Sequence, residues 1–191
     1  MQDVEFGLVP GDKVLLTGEN GSGKSTLLQY LAGNSFNQSS HLEFKGLPFA
    51  TLSTSEQAKI RHVVFQTDIP YPKFSVIEFL EIAISISQSS TKKLQQIPDI
   101  FGTRDLETRF LQSLSGGEWM RVRIAVAWLT DAEIFLLDEA DAALDTNYRK
   151  EIFKFLLESE KTLVAISHNP EIKDLNWPRK IEIIDQRLVQ L

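Results

Sequence analysis

A glycine-rich segment that carries a lysine and neighbouring hydroxyl groups is the strongest chemical feature of the sequence. Residues 18–26, the phosphate loop, read GENGSGKST and satisfy the spacing G-x-x-x-x-G-K-[ST]. Glycine suits this turn because side chains would keep backbone N–H groups from surrounding phosphate oxygens. Lys24 offers a positive charge to phosphates, and Ser25 offers a hydroxyl to Mg²⁺. The pattern predicts a nucleoside triphosphate site formed by Gly18, Asn20, Gly21, Ser22, Gly23, Lys24, Ser25 and Thr26.

Two adjacent acids follow an apolar run in the second half of the chain. Residues Ile134–Glu139 read IFLLDE, and the apolar part is typical of a strand buried on both faces. Ligands of open α/β sheets bind at the carboxyl ends of strands. We therefore expect Asp138 to hold Mg²⁺, directly or through water, and Glu139 to polarise an attacking water as general base. Acids often simply end strands, so this prediction depends on the phosphate loop.

A second glycine pair precedes a long helical pattern at Leu114–Glu118, which reads LSGGE. Ser115 is a good N-cap, and Gly116 and Gly117 leave backbone amides exposed at the start of a helix that continues through Leu129. These features predict a second anion site at a helix N-terminus. Taken alone, however, Ser-Gly-Gly more often does no more than begin a helix.

Strands and helices that alternate along the chain must position these residues. The predicted strands are Val14–Leu16, His41–Phe44, Val63–Phe65, Ile134–Leu137, Thr162–Ile166, Lys180–Ile184 and Arg187–Leu191, and the predicted helices include Lys24–Ala32, Val76–Ile86 and Thr146–Leu157. The alternation predicts an α/β fold, a mixed sheet flanked by helices. From Ile69 to about Phe110 no strand is evident, which indicates a mostly helical insert. The opening residues, MQDVEFGLVPGD, are expected to form the last strand and turn before the phosphate loop.

Composition excludes several classes of protein. The 191 residues include no cysteine, which rules out disulfides and thiolate metal sites. The formal net charge is −6, and basic residues are interspersed with acids, so no nucleic acid partner is expected. No apolar run approaches the roughly 20 residues of a membrane-spanning helix, and the first residues lack a signal-peptide pattern. We expect a soluble protein whose membrane role, if any, depends on a partner.

The segment LSGGE resembles the signature motif of the ABC (ATP-binding cassette) ATPase family, and the resemblance covers nearly the whole chain. Gln66 matches the Q-loop glutamine that senses Mg²⁺, Leu144–Asp145 matches the D-loop, and His168 matches the switch histidine that contacts the γ-phosphate. The resemblance implies that Ser115, Gly116, Gly117 and Asp145 complete the ATP site of another subunit. His41 and His62 match no family motif, and we expect both to be structural.

The family resemblance also implies a working cycle. Two subunits, in a homo- or heterodimer, would sandwich two Mg·ATP head to tail and hydrolyse them. The motion would pass to a separate transmembrane permease, with this chain cytoplasmic and peripheral on the inner face of the cell membrane. Residues 1–66 and about 130–191 would form a RecA-like core, and residues 67–129 a helical subdomain with the signature.

Three positions depart from the family pattern. Ala140 stands where proline usually follows the catalytic glutamate, and Trp119 stands where glutamine usually follows the signature. We expect Ala140 to alter only a local loop, and Trp119 to affect how its helix packs. The aromatic residue that stacks on adenine normally lies well before the phosphate loop, in strands this chain barely has. Either adenine is held loosely, or Phe6 or a partner substitutes.

Two other classes of ATPase in this family are alternatives to a transporter subunit. In chromosome-maintenance ATPases of this family, long coiled coils separate the Q-loop from the signature. Here only 48 positions separate Gln66 from Leu114, and no heptad pattern is present, which disfavours that class. A non-transport ABC ATPase that gates a soluble assembly complex stays open as an alternative.

Overall fold

The computed structural model describes residues 5–34, 42–66, 73–86, 91–185 and 187–191. In these residues the strands are β1 (Lys13–Gly18), β2 (Glu43–Phe44), β3 (Leu47–Pro48), β4 (Arg61–Val64), β5 (Ile134–Asp138), β6 (Thr162–Ile166), β7 (Arg179–Ile184) and β8 (Arg187–Gln190). The α-helices are α1 (Lys24–Leu31), α2 (Thr54–Ile60), α3 (Val76–Ile86), α4 (Gly116–Leu129), α5 (Ala140–Ala143), α6 (Thr146–Glu158) and α7 (Pro170–Lys173). Short 3-10 segments cover Phe49–Thr51, Thr91–Gln96, Asp99–Phe101, Arg104–Leu106 and Leu111–Ser113.

The central sheet has the strand order β4–β5–β6–β1–β7–β8. The first five strands pair in parallel, and β8 pairs antiparallel with β7, which confirms the mixed sheet and the closing strand pair expected from the sequence. All five residues of β6 are buried, as are Val14, Leu15 and Leu16 of β1. Burial on both faces explains why these strands are continuous apolar runs.

Two apolar clusters cover the two faces of the sheet. One joins Val14 and Leu16 of β1 to Leu27 and Leu28 of α1. The other contains Leu15 of β1 and the buried faces of α3, α4 and α6. Because alternate residues of one strand point to opposite faces, these clusters put helices on both sides of the sheet.

The chain between β4 and β5 is largely helical in its described parts. Residues 73–86 and 91–129 contain α3, α4 and 3-10 segments, with only an isolated bridge between Ser75 and Phe110. Trp119, at one of the positions that depart from the family pattern, is buried, and its ring centroid lies 5.5 Å from that of Phe79 in α3. The indole thus packs α4 against α3.

Several local predictions were wrong in detail. The strand expected at His41–Phe44 is reduced to β2, which forms a separate hairpin with β3, and His41 lies outside the described residues. Residues 5–12 contain a turn but no strand, because Gly7, Pro10 and Gly11 disfavour extended pairing. Helix α2 was not predicted, although its sequence contains a capping box. The Ser53 hydroxyl accepts from the Glu56 amide, and the Glu56 carboxylate accepts from the Ser53 amide.

His62 is a structural residue of β4, as expected from the sequence. Its Nδ1 lies 3.2 Å from the Thr130 hydroxyl, which also donates to the Ala127 carbonyl. Burial, together with the positive charges of Arg123 and Arg61, lowers the pKa of His62 to about 4. The folded protein therefore keeps this imidazole neutral in the range where an unfolded chain would protonate it.

The His62 environment predicts a loss of stability in mild acid. The unfolded imidazole takes up a proton near pH 6.5, whereas the folded one does so near pH 4. Between these values the unfolded state binds more protons, so the free energy of unfolding falls as the pH is lowered. We expect His62 to account for up to about 3 kcal/mol of this loss. Urea unfolding at a series of pH values between 7 and 4 measures the free energy of unfolding at each pH.

One variant isolates the contribution of this residue. His62→Asn should flatten the pH dependence of the free energy of unfolding over that range. If the free energy of unfolding depends on pH in the same way in wild type and in His62→Asn, the prediction is wrong.

Candidate functional site

The phosphate loop connects β1 to α1 through glycines in left-handed backbone conformations. Gly18 has φ +134°, Gly21 +79° and Gly23 +107°, and Gly23 caps α1. A Cβ at Gly18 would lie 2.6 Å from the Ile183 carbonyl oxygen, so no side chain fits there. Asn20, Gly21 and Thr26 are exposed. The loop is therefore a cradle of backbone lined by the N-terminus of α1, the arrangement that suits a phosphate.

The Lys24 side chain and the hydroxyl oxygen of Ser22 are buried in this loop. Lys24 is 6% exposed, and its Nζ donates to the carbonyls of Gly18, at 3.0 Å, and Glu19, at 2.8 Å. Burial lowers the pKa of Lys24, while the nearby carboxylate of Glu139 acts in the opposite direction. The buried hydroxyl oxygen of Ser22 has no hydrogen-bond partner among the described residues. A lysine ammonium and an unused hydroxyl in a backbone cradle fit an anionic ligand.

Ser25 and Asp138 meet at the edge of the sheet where β5 ends. The Ser25 hydroxyl donates to Asp138 Oδ1 at 3.2 Å, and burial raises the pKa of the Asp138 carboxyl. Gln66 is exposed two residues after β4, whose Val64 pairs with Leu137, so it lies at the same edge of the sheet. A hydroxyl, an amide and a carboxylate supply the oxygen ligands that Mg²⁺ prefers.

Glu139 and His168 lie side by side after neighbouring strands β5 and β6. Glu139 Oε1 is 3.5 Å from His168 Nε2, and both side chains are partly exposed. Glu139 has φ +50°, an unusual conformation for a residue other than glycine, and its N–H donates to the Ile166 carbonyl at 3.1 Å. From this strained turn the Glu139 carboxylate reaches the histidine.

Close in sequence to Glu139 and His168, a buried carboxyl and a buried hydroxyl form a hydrogen bond. Ser167 Oγ donates to Asp141 Oδ2 at 2.8 Å and accepts from the Asn169 amide at 3.1 Å. Burial raises the pKa of the Asp141 carboxyl, and its Oδ1 has no partner among the described residues. Sequence reasoning missed both residues, since nothing in the pattern pairs positions 26 residues apart.

The signature segment begins α4 with a capping box. Ser115 Oγ accepts from the Glu118 amide at 3.2 Å, and Glu118 Oε2 accepts from the Ser115 amide at 2.7 Å. These contacts lower the pKa of Glu118. A Cβ at Gly116 would meet open space, whereas a Cβ at Gly117 would lie 2.9 Å from the Asp145 carboxylate oxygens. The structure thus brings the signature helix together with Asp145, the first residue before α6.

The sites predicted from sequence form two groups. Among the described residues, no hydrogen bond or ion pair joins the group at the phosphate loop (Gly18–Thr26, Asp138, Glu139 and His168) to the signature group (Ser115–Gly117 and Asp145). Each group includes the first residues of a helix, and in the signature group Gly116 is exposed whereas Gly117 is buried beside Asp145. The two groups therefore have separate surroundings within the described residues.

Arg123 is a further residue that the sequence did not single out. It is 6% exposed in α4, and its guanidinium donates to the Phe65 carbonyl at 2.7 Å. Gln66 is the next residue, so α4 fixes the backbone from which that glutamine projects. A charged donor on a backbone carbonyl makes one of the stronger hydrogen bonds in proteins.

Phe6 lies away from the phosphate loop. The Arg179 guanidinium is 6.0 Å from the Phe6 ring, and it donates to Asp12 at 2.6 Å and to the Gly7 carbonyl at 3.1 Å. Asp12 directly precedes β1, whereas the phosphate loop begins at the other end of that strand, at Gly18. The geometry therefore gives no support to Phe6 as the residue that stacks on adenine.

We predict that Arg123→Met lowers the free energy of unfolding by about 2 kcal/mol, because the Phe65 carbonyl loses a charged donor. Urea unfolding measures the change. Arg104→Met is the control, since the Arg104 side chain is 64% exposed and pairs with Asp99 at the surface. We expect it to change stability by less than about 0.5 kcal/mol. Equal losses in the two variants would contradict a special role for the Arg123 contact.

Comparisons with known proteins agree with this geometry. The model of the ABC transporter family matches residues 1–142. The chain is 32% identical over 179 residues to a spermidine/putrescine import ATP-binding protein of Bacteroides thetaiotaomicron, covering 90% of this chain and 38% of that one. It is 31% identical over 166 residues to a thiamine import ATP-binding protein of Histophilus somni, covering 83% of this chain and 77% of that one. The chain spans half or less of the length of several curated relatives that it matches.

The fold is that of solved ATP-binding cassettes. A dimeric cassette in a post-hydrolysis state, bound to ADP and Pi, superposes with a TM-score of 0.85 at 22% identity, covering 98% of this chain and 88% of that one. This similarity establishes the fold alone. Because the family model matches more than half of the chain and a relative above 30% identity is covered over most of its length, this protein belongs to the ABC transporter family.

Proposed function

We propose that this chain is an ATP-binding and ATP-hydrolysing subunit that powers transport through a separate transmembrane partner. The observation that carries the proposal is one edge of the sheet, where Ser25 bonds Asp138 at 3.2 Å and Glu139 faces His168 at 3.5 Å. Phosphoryl transfer to water requires a loop that binds phosphate, a carboxylate placed to bind a metal ion, and a base, here beside a histidine.

The residues at this edge would divide the work of binding. The backbone amides of the phosphate loop and the ammonium of Lys24 would hold the β- and γ-phosphates. Ser25, Gln66 and Asp138 would hold Mg²⁺, which when bound neutralises negative charge on the phosphates. The raised pKa of Asp138 fits this role, because a buried carboxylate gains most from a cation beside it.

Hydrolysis would depend on Glu139 and His168. The Glu139 carboxylate would take a proton from the attacking water, which places it as general base. His168 would donate to an oxygen of the γ-phosphate and keep the base and the phosphate in register. Lys24 would stabilise the charge that develops on the same phosphate.

A second subunit would complete each site. Ser115, Gly116 and Gly117 stand at the start of α4, where Gly116 faces open space. We propose that these residues and Asp145 close on ATP held by another copy or by a related subunit. Support comes from the two separate groups of site residues in one chain and from the dimeric state of the solved cassette bound to ADP and Pi.

The membrane partner is proposed from the relatives, which are named import ATP-binding proteins. Within the described parts of the chain, none of the helices combines the length and the apolar character needed to span a membrane. We propose a transmembrane permease as partner, with the chain on the inner face of the cell membrane. Residues 1–66 and about 130–191 would act as the nucleotide-binding core, and residues 67–129 would transmit motion.

The base assignment predicts the behaviour of Glu139→Gln. Because glutamine cannot accept a proton, phosphate release should fall by at least about 100-fold while ATP affinity is kept. ATP should then accumulate in a dimer. Phosphate release, isothermal titration with Mg·ATP and size-exclusion chromatography measure these three properties.

Two controls bracket this experiment. Lys24→Ala should lose ATP binding, whereas Glu151→Gln, at an exposed acid of α6, should behave like wild type. Wild-type turnover in Glu139→Gln would overturn the base assignment. Absence of ATP binding in the wild-type chain would overturn the proposed function itself.

The partner is tested separately by affinity purification of the tagged chain from detergent-solubilised native cells. Mass spectrometry should find a polytopic membrane protein at stoichiometric level. Reproducible recovery of soluble partners alone would contradict the transporter proposal and favour an ATPase that gates a soluble assembly complex. The Glu139→Gln variant, trapped with ATP, should recover at least as much of the partner as wild type.

A further inference from the structure

The pair formed by Asp141 and Ser167 is buried more deeply than the groups proposed for catalysis. Asp141 is 2% exposed and Ser167 is 1% exposed, whereas the Glu139 and His168 side chains are 29% and 41% exposed. Their 2.8 Å hydrogen bond joins the first turn of α5 to the residue after β6. Burial of a carboxyl is costly unless it is hydrogen-bonded, so this contact constrains both segments.

The Ser167 hydroxyl organises the backbone around His168. It donates to Asp141 and accepts from the amide of Asn169, the residue on the other side of His168. Asn169 is fixed in turn, because its side chain caps α7 by accepting from the Glu171 amide at 2.8 Å. His168 is thus held between two anchored neighbours.

Asp141 is anchored on its own side by α6. Arg149 donates to the Asp141 carbonyl at 2.9 Å and to the Leu144 carbonyl at 3.0 Å. Glu139 precedes Asp141 by two residues and donates through its N–H to the Ile166 carbonyl. The buried pair therefore links the same two segments that carry Glu139 and His168.

We propose that Asp141 and Ser167 are positioning residues that hold the His168 imidazole in place beside Glu139. Stability alone explains the pair poorly, since the second carboxyl oxygen of Asp141 is buried with no partner in the described residues. The inference rests on the proposed hydrolysis by Glu139 and His168. It adds two residues that touch neither phosphate nor water and act through the histidine.

Four variants of Ser167 and His168 test this role in steady-state ATP hydrolysis. Ser167→Ala, which removes the hydroxyl, should lower kcat by about 10-fold or more and change KM for ATP by less than about 3-fold. Ser167→Thr, which keeps a hydroxyl, should restore most of kcat. In the His168→Ala background, Ser167→Ala should have no further effect, because the residue that it positions is already absent.

Ser159→Ala is the control, since the Ser159 hydroxyl also donates a hydrogen bond, in its case to the Leu156 carbonyl at 2.7 Å, but it lies at the opposite end of the strands. It should keep wild-type kcat. Thermal unfolding of each variant distinguishes a lower kcat caused by loss of folded structure from a lower kcat caused by displacement of the His168 imidazole.

The outcomes separate the two proposals. If the wild-type chain hydrolyses ATP and Ser167→Ala keeps its kcat, the positioning role is overturned while the proposed function stands. The same holds if Ser167→Ala lowers kcat equally with and without His168. If the wild-type chain neither binds nor hydrolyses ATP, the proposed function fails, and the positioning role fails with it.

Discussion

Three neighbouring parallel strands, β5, β6 and β1, end at one edge of the central sheet. The groups at the carboxyl ends of these strands therefore lie together: the two acids at the end of β5, His168 just after β6 and the phosphate loop at the end of β1. Parallel pairing in register is therefore the constraint from which the site follows. The apolar clusters on both faces hold these strands, and a slip of register would separate Ser25 from Asp138.

The site carries buried charge that the fold alone does not require. Burial lowers the pKa of Lys24 and raises the pKa of Asp138 and of Asp141, so each group would be better solvated outside the protein. Glu139 adds a backbone conformation with positive φ. Such costs are typical of sites shaped for a ligand rather than for stability, and the apolar core on both faces of the sheet offsets them.

Much of the fold and part of the site could be predicted from the sequence. The phosphate loop and the strand of Asp138 follow local patterns, in which spacing and apolar periodicity decide the structure. The contacts of Arg123 with Phe65 and of Asp141 with Ser167 span 58 and 26 residues, and no local spacing encodes them. Helix α2 was missed for another reason, since its capping box lies within a short serine-rich stretch.

The close approach of Asp145 to Gly117 has a mechanical consequence. A Cβ at Gly117 would lie 2.9 Å from that carboxylate, so the start of α4 and the residue before α6 are in close contact. Helix α5 connects Asp145 to Glu139 through only a few residues. A displacement of the signature segment would therefore reach Glu139 over a short stretch of backbone.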